Sequence, residues 1–183
     1  MDFQKVIQAL VGEFEKNGVQ YAVIGGFSLG LHGIPRATID LDFLINKEDL
    51  NKIDPILSEL GYKLSFRSEN VSQYTSDLKI FGEVDFLHAF RERSLRMLQR
   101  AVEVPVFQGA ARIKVLLPED IIGLKVQAVA NNQNRSSRDY PDIEGLMQHF
   151  GAKLDWDILA DYFTLFGLQK EYDEYRRKYG TSQ

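Results

Sequence analysis

Two aspartates one residue apart, Asp40 and Asp42, sit inside the apolar run Ile39-Asp40-Leu41-Asp42-Phe43-Leu44-Ile45. In a strand, positions i and i+2 leave the same face, so both carboxylates point the same way. Held that close they repel, and the repulsion is costly in a low dielectric. A divalent cation removes that cost. Mg2+ is hard, prefers oxygen ligands and is commonly held by one or two carboxylates plus substrate phosphates. Two solvated acids on the wet face of an edge strand explain the same spacing.

The residues upstream favour the metal–phosphate chemistry. Gly25-Gly26 lets the backbone approach a ligand closely. Ser28 follows near a helix start, where free N–H groups and the dipole favour phosphate; capping of that helix is the plainer role. Arg36 lies four residues before Asp40, placed to meet a phosphate or a nearby acid. A third acid, Asp85, lies in Glu83-Val84-Asp85-Phe86-Leu87-His88. An aspartate in a central strand is expensive unless it is paired or bound to metal. Glu83 shares its face and serves as the wet partner in an ordinary amphipathic strand. Three carboxylates from two neighbouring strands suit two Mg2+ ions about 3.5–4 Å apart, the arrangement for in-line displacement at phosphorus.

Farther along, Lys125 sits near the apolar stripe of a helix, as a phosphate-neutralising or a snorkelling lysine. Asp139 and Asp142 fit an N-cap and a first-turn acid. Arg135 and Arg138, among Asn131, Asn132, Asn134 and Ser136, read as a polar, positive loop. His32 and His88 have no partner at ligand spacing and read as structural. Trp156, Tyr162, Phe163, Phe166, Tyr172 and Tyr175 recur at helical spacing and read as core or as an oligomer contact.

These groups need elements to hold them. Apolar periodicity predicts a helix from residue 3 to about Asn17-Gly18, a strand over 21–24, a short helix over 28–32 and a strand over 38–45. A helix over 47–60 follows, with Pro55 expected to bend or shorten it. Strands are expected over 62–66, 73–81 and 83–87, a charged helix over 91–100, and strands over 102–106 and 112–115. After Pro118-Glu119-Asp120, a proline-and-acid helix start, only helices are expected: 118–132, 139–149, 155–166 and 168–178. The last few residues are expected to fray.

With 183 residues, 44% hydrophobic, the chain suffices for one domain or a domain with a small appendage. It has no cysteine, which excludes disulfides and thiolate chemistry. The formal net charge of −4 argues against strong non-specific binding to nucleic acid. No signal peptide and no run near the roughly 20 apolar residues of a membrane span are evident, so a soluble, cytoplasmic protein is expected.

The string GGFSLGLHGIPRATIDLDFLI, followed by the lone strand aspartate of EVDFL, resembles the nucleotidyltransferase superfamily that includes DNA polymerase β. Within it the chain is most similar to the small bacterial nucleotidyltransferases of the AbiEii/AbiGii toxin type and their uncharacterised relatives. PEDIIGLKVQAVANNQNRSSRDYPDIEGL is also like that group, and the likeness covers roughly residues 18–150. The resemblance implies an α/β (α+β) nucleotidyltransferase core over 1–116, with a mixed central sheet flanked by helices, and a C-terminal helical subdomain over 117–183. It implies that Gly25, Gly26 and Ser28 hold a triphosphate, with Arg36 nearby. Asp40 and Asp42 would bind two Mg2+ ions (Mn2+ as a substitute), with Asp85 completing the second site and helping to activate the attacking hydroxyl. Lys125 would reach a phosphate or the acceptor, and Asp139 and Asp142 would shape the cleft wall. The substrate would be an NTP, ATP included. The acceptor would be an RNA or tRNA end or a protein hydroxyl, with a cognate antitoxin as a partner. A small-molecule (antibiotic-type) transferase and an inactive nucleotide-binding module are the alternatives. Phe27, between Gly26 and Ser28, departs from the direct Gly-Ser of many superfamily members and matches the toxin-like branch.

Overall fold

Alternating apolar residues build a seven-stranded mixed sheet in the computed structural model, which describes residues 1–180. The strands are β1 (Tyr21–Ile24), β2 (Asp40–Asn46), β3 (Tyr62–Arg67), β4 (Val71–Ser76), β5 (Glu83–Ala89), β6 (Val102–Val106) and β7 (Ala111–Val115). Their spatial order is β3-β4-β5-β2-β1-β7-β6. β2 runs antiparallel to β1 and parallel to β5, and β1 runs parallel to β7. This is the mixed α/β class expected.

By its contacts the chain divides into two compact units: Met1–Ser28 with Arg36–Leu116, and Leu29–Pro35 with the described residues from Leu117 onward. In the first unit, helices α1 (Phe3–Lys16) and α3 (Leu50–Glu59) share one apolar core with the sheet. Asp2 caps α1 by accepting from the Lys5 amide at 3.2 Å. Val6, Ile7, Leu10 and Phe14 of α1 are fully buried with Val23, Leu41, Phe43, Ile45, Val84 and Phe86 of the central strands. The Phe43 and Phe86 rings stack across β2 and β5, with centroids 5.5 Å apart. Helix α4 (Glu92–Arg100) packs on β2 and β5.

The second unit is helical: α5 (Pro118–Asn131), α6 (Ser136–Phe150), α7 (Trp156–Leu165) and α8 (Gln169–Tyr179). A Cβ at Gly123 would stand 2.7 Å from the Tyr162 ring, so the glycine lets α7 close on α5. There the Tyr162 hydroxyl donates to Asp120 at 2.6 Å. Trp156, Tyr162, Phe163 and Tyr172 are buried, as a core reading requires.

Several boundaries differ from expectation. β2 begins at Asp40, and Ile39, expected on the apolar face, is 84% exposed. β4 covers 71–76 rather than 73–81, because the chain turns over 77–82, where Gly82 adopts φ +65°. Leu78 and Ile80, whose alternation mimics a strand, are exposed in that turn. The helix expected from 47 starts as a single 3-10 turn, Lys47–Asp49, and Pro55 lies inside α3. α6 begins at Ser136, after a 3-10 turn over Gln133–Arg135, so the expected polar loop is mostly helical. The expected frayed end lies outside the described residues from 181 on. No helix among the described residues is long and apolar enough to cross a membrane.

Candidate active site

The parallel register of β2 and β5 pairs Asp42 with Asp85 and Asp40 with Glu83. Paired residues of adjacent strands share a face, so four carboxylates form one patch on two neighbouring strands. Leu41, Phe43, Val84 and Phe86 fill the opposite face and are fully buried, which anchors the acids' side of the sheet in register. Asp40, Asp42 and Asp85 are half-buried, and Glu83 is exposed. Burial pushes the Asp85 carboxyl up. A hydrogen bond from Gln73 Nε2 at 2.9 Å opposes this, the charges of Asp40 and Glu83 add to it, and the net pKa lies above the ordinary carboxylate value.

The glycine turn meets these acids directly. β1 ends at Ile24, and α2 (Gly25–Leu31) begins at Gly25, three residues earlier than expected. Gly25 takes φ +68°, and a Cβ there would stand 1.8 Å from Asp42 Oδ2. Glycine is therefore required twice, by conformation and by the carboxylate lying against it. A Cβ at Gly26 would stand 2.7 Å from the Cβ of Thr38, whose hydroxyl donates to Asp40 Oδ1 at 2.5 Å. Ser28 is fully buried, and its hydroxyl donates to the Gly25 carbonyl at 2.9 Å. That hydroxyl closes a helical turn, and the role the sequence left open for it, capping or phosphate binding, becomes a bond inside α2. Arg36 is exposed between α2 and β2.

Lys125, Asp139 and Asp142 belong to the second unit. Lys125 Nζ donates to Asp139 at 3.0 Å and to Asp142 at 2.7 Å, with the lysine side chain 12% exposed and the acids 0% and 7%. Arg135 Nε adds a bond to Asp139 at 2.7 Å. Burial pushes Asp139 up, but the Arg135 bond and the Lys125 charge outweigh it and hold its pKa below the ordinary value. Neither aspartate is the N-cap of α6, a position held by Arg135; Asp139 stands in its first turn, and both acids join α5 to α6 through one lysine. Arg135 and Arg138 flank the same acid, Arg138 Nε at 3.8 Å from it.

His88 is tied into the fold by two hydrogen bonds and His32 by a ring contact. His88 Nδ1 lies 3.0 Å from the Glu69 carbonyl, which only accepts, so Nδ1 carries the proton and Nε2 accepts from the Ser72 hydroxyl at 3.0 Å. Burial is the main reason its pKa is lowered. His32 lies edge-on to Phe150, with centroids 5.7 Å apart.

Among the described residues, no three His, Asp or Glu side chains converge closely enough to hold a metal ion. The expected cage is thus present as a shared face and not as a closed coordination shell. Thr38 ties Asp40, Gln73 ties Asp85, and Asp42 lies against Gly25. The donor set itself suits a hard dication: every donor is a carboxylate oxygen, and all come from two paired strands. Thr38 and Gln73 were not singled out from the sequence. Thr38 falls in the strand pattern of residues 38–45, and Gln73 meets Asp85 through a register that residue spacing does not reveal.

A mixed sheet carrying paired strand acids against a strand–glycine–helix turn defines the nucleotidyltransferase fold. The chain belongs to a family described as "Uncharacterised nucleotidyltransferase", whose profile matches residues 3–177. No curated protein matches it. Among solved structures, the antibiotic-resistance factor ANT(2'')-Ia has 13% identity and a TM-score of 0.67, covering 95% of this chain and 99% of that one. The lincosamide antibiotic adenylyltransferase LnuA, solved with lincomycin bound, has 16% identity and a TM-score of 0.56, over 78% and 95% of the two chains. A putative nucleotidyltransferase from Thermotoga maritima has 17% identity and a TM-score of 0.58, over 76% and 92%. At these identities the likeness is one of fold.

Proposed function

We propose that the protein is a divalent-metal-dependent nucleotidyltransferase that moves a nucleoside monophosphate from an NTP to a hydroxyl and releases pyrophosphate. The observation that carries this is the four-carboxylate face of β2 and β5 lying against the Gly25 turn. Asp40, Asp42 and Asp85 would hold Mg2+, which supplies charge neutralisation at the phosphates. Gly25 and Gly26, having no side chains, leave the backbone open to the triphosphate. The acceptor oxygen attacks the α-phosphorus, the bond to pyrophosphate breaks, and Asp85, among the metal-holding acids, helps to activate the hydroxyl, whose proton passes to solvent. Lys125, tied to two buried acids, acts by joining α5 to α6.

The acceptor we favour is a small hydroxylated molecule. The antibiotic chemistry named for two proteins of similar fold, the resistance factor ANT(2'')-Ia and the lincosamide adenylyltransferase LnuA, supports it. The second reading is the toxin-like branch, with an RNA end or a protein hydroxyl as acceptor and a cognate antitoxin. Its support is Phe27 inserted between Gly26 and Ser28. Incubation with each labelled NTP, Mg2+ and, in parallel, a panel of aminoglycosides and lincosamides, total RNA or total protein separates them. The Asp40→Ala/Asp42→Ala chain is the control. Label in a small molecule, absent with the control, establishes the favoured reading. Label in RNA or protein establishes the second. No label in any acceptor overturns the transferase reading.

A further inference from the structure

Two polar side chains beside the acids have no place in the chemistry above, and each ends on one oxygen of a carboxylate. Gln73 stands opposite Asp85 in the β4–β5 register, and its Nε2 donates to Asp85 Oδ2 at 2.9 Å. Thr38 precedes β2, and its Oγ1 donates to Asp40 Oδ1 at 2.5 Å. Resting on the nucleotidyltransferase reading, we propose that Gln73 and Thr38 are positioning residues, each tying one oxygen of its aspartate and leaving the other oxygen for the metal–triphosphate ligand.

The chemistry of the donors carries the argument. Four carboxylates crowded on two strands repel, and an untied aspartate would rotate away from its neighbours toward water. A lysine or arginine would stop that rotation but cancel the charge that attracts a dication. An amide and a hydroxyl hold the carboxylate without neutralising it. The second unit provides the contrast: Asp139 and Asp142 are held by Lys125 and Arg135, so their charge is spent on the protein itself. Neutral donors on the acids of the β2–β5 face are what a cation-binding set requires. The geometry of Thr38 is itself over-determined, because the missing side chain of Gly26 makes the space it occupies.

The test is Mn2+ binding in the presence of a non-hydrolysable NTP analogue, followed by loss of the free-ion EPR signal, so it does not depend on turnover. Gln73→Met keeps length and removes the donor. It is expected to weaken Mn2+ binding roughly 10- to 100-fold with an unchanged melting temperature, and to cause no further loss in an Asp85→Asn background. Equal Mn2+ affinity in Gln73→Met and wild type, or an equal loss in both backgrounds, overturns the proposal. Thr38→Val with Asp40→Asn forms the same cycle on the neighbouring strand and decides the matter if Gln73→Met does not fold. The two failures are distinguishable. A wild type that binds Mn2+ and loses it in Asp85→Asn, but not in Gln73→Met, defeats only the positioning role. A wild type that takes up no Mn2+ with the nucleotide defeats the nucleotidyltransferase reading and this inference with it.

Discussion

At Gly25 a single methyl group decides whether the site exists. Its φ of +68° disfavours any L side chain, and a Cβ would fall 1.8 Å from Asp42 Oδ2. Gly25→Ala is therefore expected to cost about 1–3 kcal/mol of stability and to displace Asp42. Denaturant unfolding and Mn2+ binding check the two halves; an Ala variant with wild-type values for both would mean that the turn tolerates a side chain. Lys125 gives the opposite case, a charged residue whose partners make it structural. Lys125→Met removes the shared ammonium from two buried acids and leaves Arg135 on Asp139 alone, a loss of about 3–5 kcal/mol. Adding Asp139→Asn and Asp142→Asn should recover most of it, measured by denaturant midpoint. A Lys125→Met chain of normal stability and no turnover would instead give the lysine a role in catalysis. The paired acids Asp40 and Asp42 were legible because strand periodicity acts over two residues. The partners of Lys125 lie 14 and 17 residues on and were not.

The pairing of β4 with β5 decides what surrounds Asp85 on one face and His88 on the other. Strand identity was readable from alternation, but register was not, since it is set by turns and by the packing of the far face. The turn over 77–82 hid it: Leu78, Ile80 and Phe81 prolong an apolar pattern that the backbone abandons after Ser76. Through this pairing Ser72 reaches His88, and the buried imidazole is held neutral. Its folded pKa is lowered, so it stabilises the fold fully above its unfolded pKa of about 6.5, and that stability is lost as the pH falls through the folded value. His88→Gln removes the titrating group. The wild-type minus variant difference in stability is expected to shrink on acidification from pH 7.5. A pH-independent difference would show that His88 does not titrate in the native state. Asp85, with its raised pKa, works in the opposite direction and gains from protonation. It is common to both chains and drops out of the difference.

Across the molecule, each unit carries its own buried titrating group, and the two respond to acid in separate windows. In the sheet unit, His88 stops contributing as the pH falls below about 6.5. In the helical unit, Asp139 is held ionised by Arg135 and Lys125, against its burial. Its lowered pKa gives stability that is complete above the unfolded value of about 3.9 and is lost only as the pH falls through the folded value. Amide hydrogen exchange resolved by residue reads both at once, after correction for the pH dependence of intrinsic exchange. Between pH 7 and pH 5, protection in β4 and β5 is expected to fall relative to His88→Gln, in which Asp85 titrates alike, and to hold in α5 and α6. Protection in α5 and α6 should give way only below about pH 4. In Lys125→Met one of the two cations that keep Asp139 ionised is gone and Arg135 remains, so the helical window should move part of the way to higher pH while the sheet window stays in place. A joint shift of both windows in that variant would mean that the two units unfold as one cooperative block, whose stability no longer belongs to either titrating group alone.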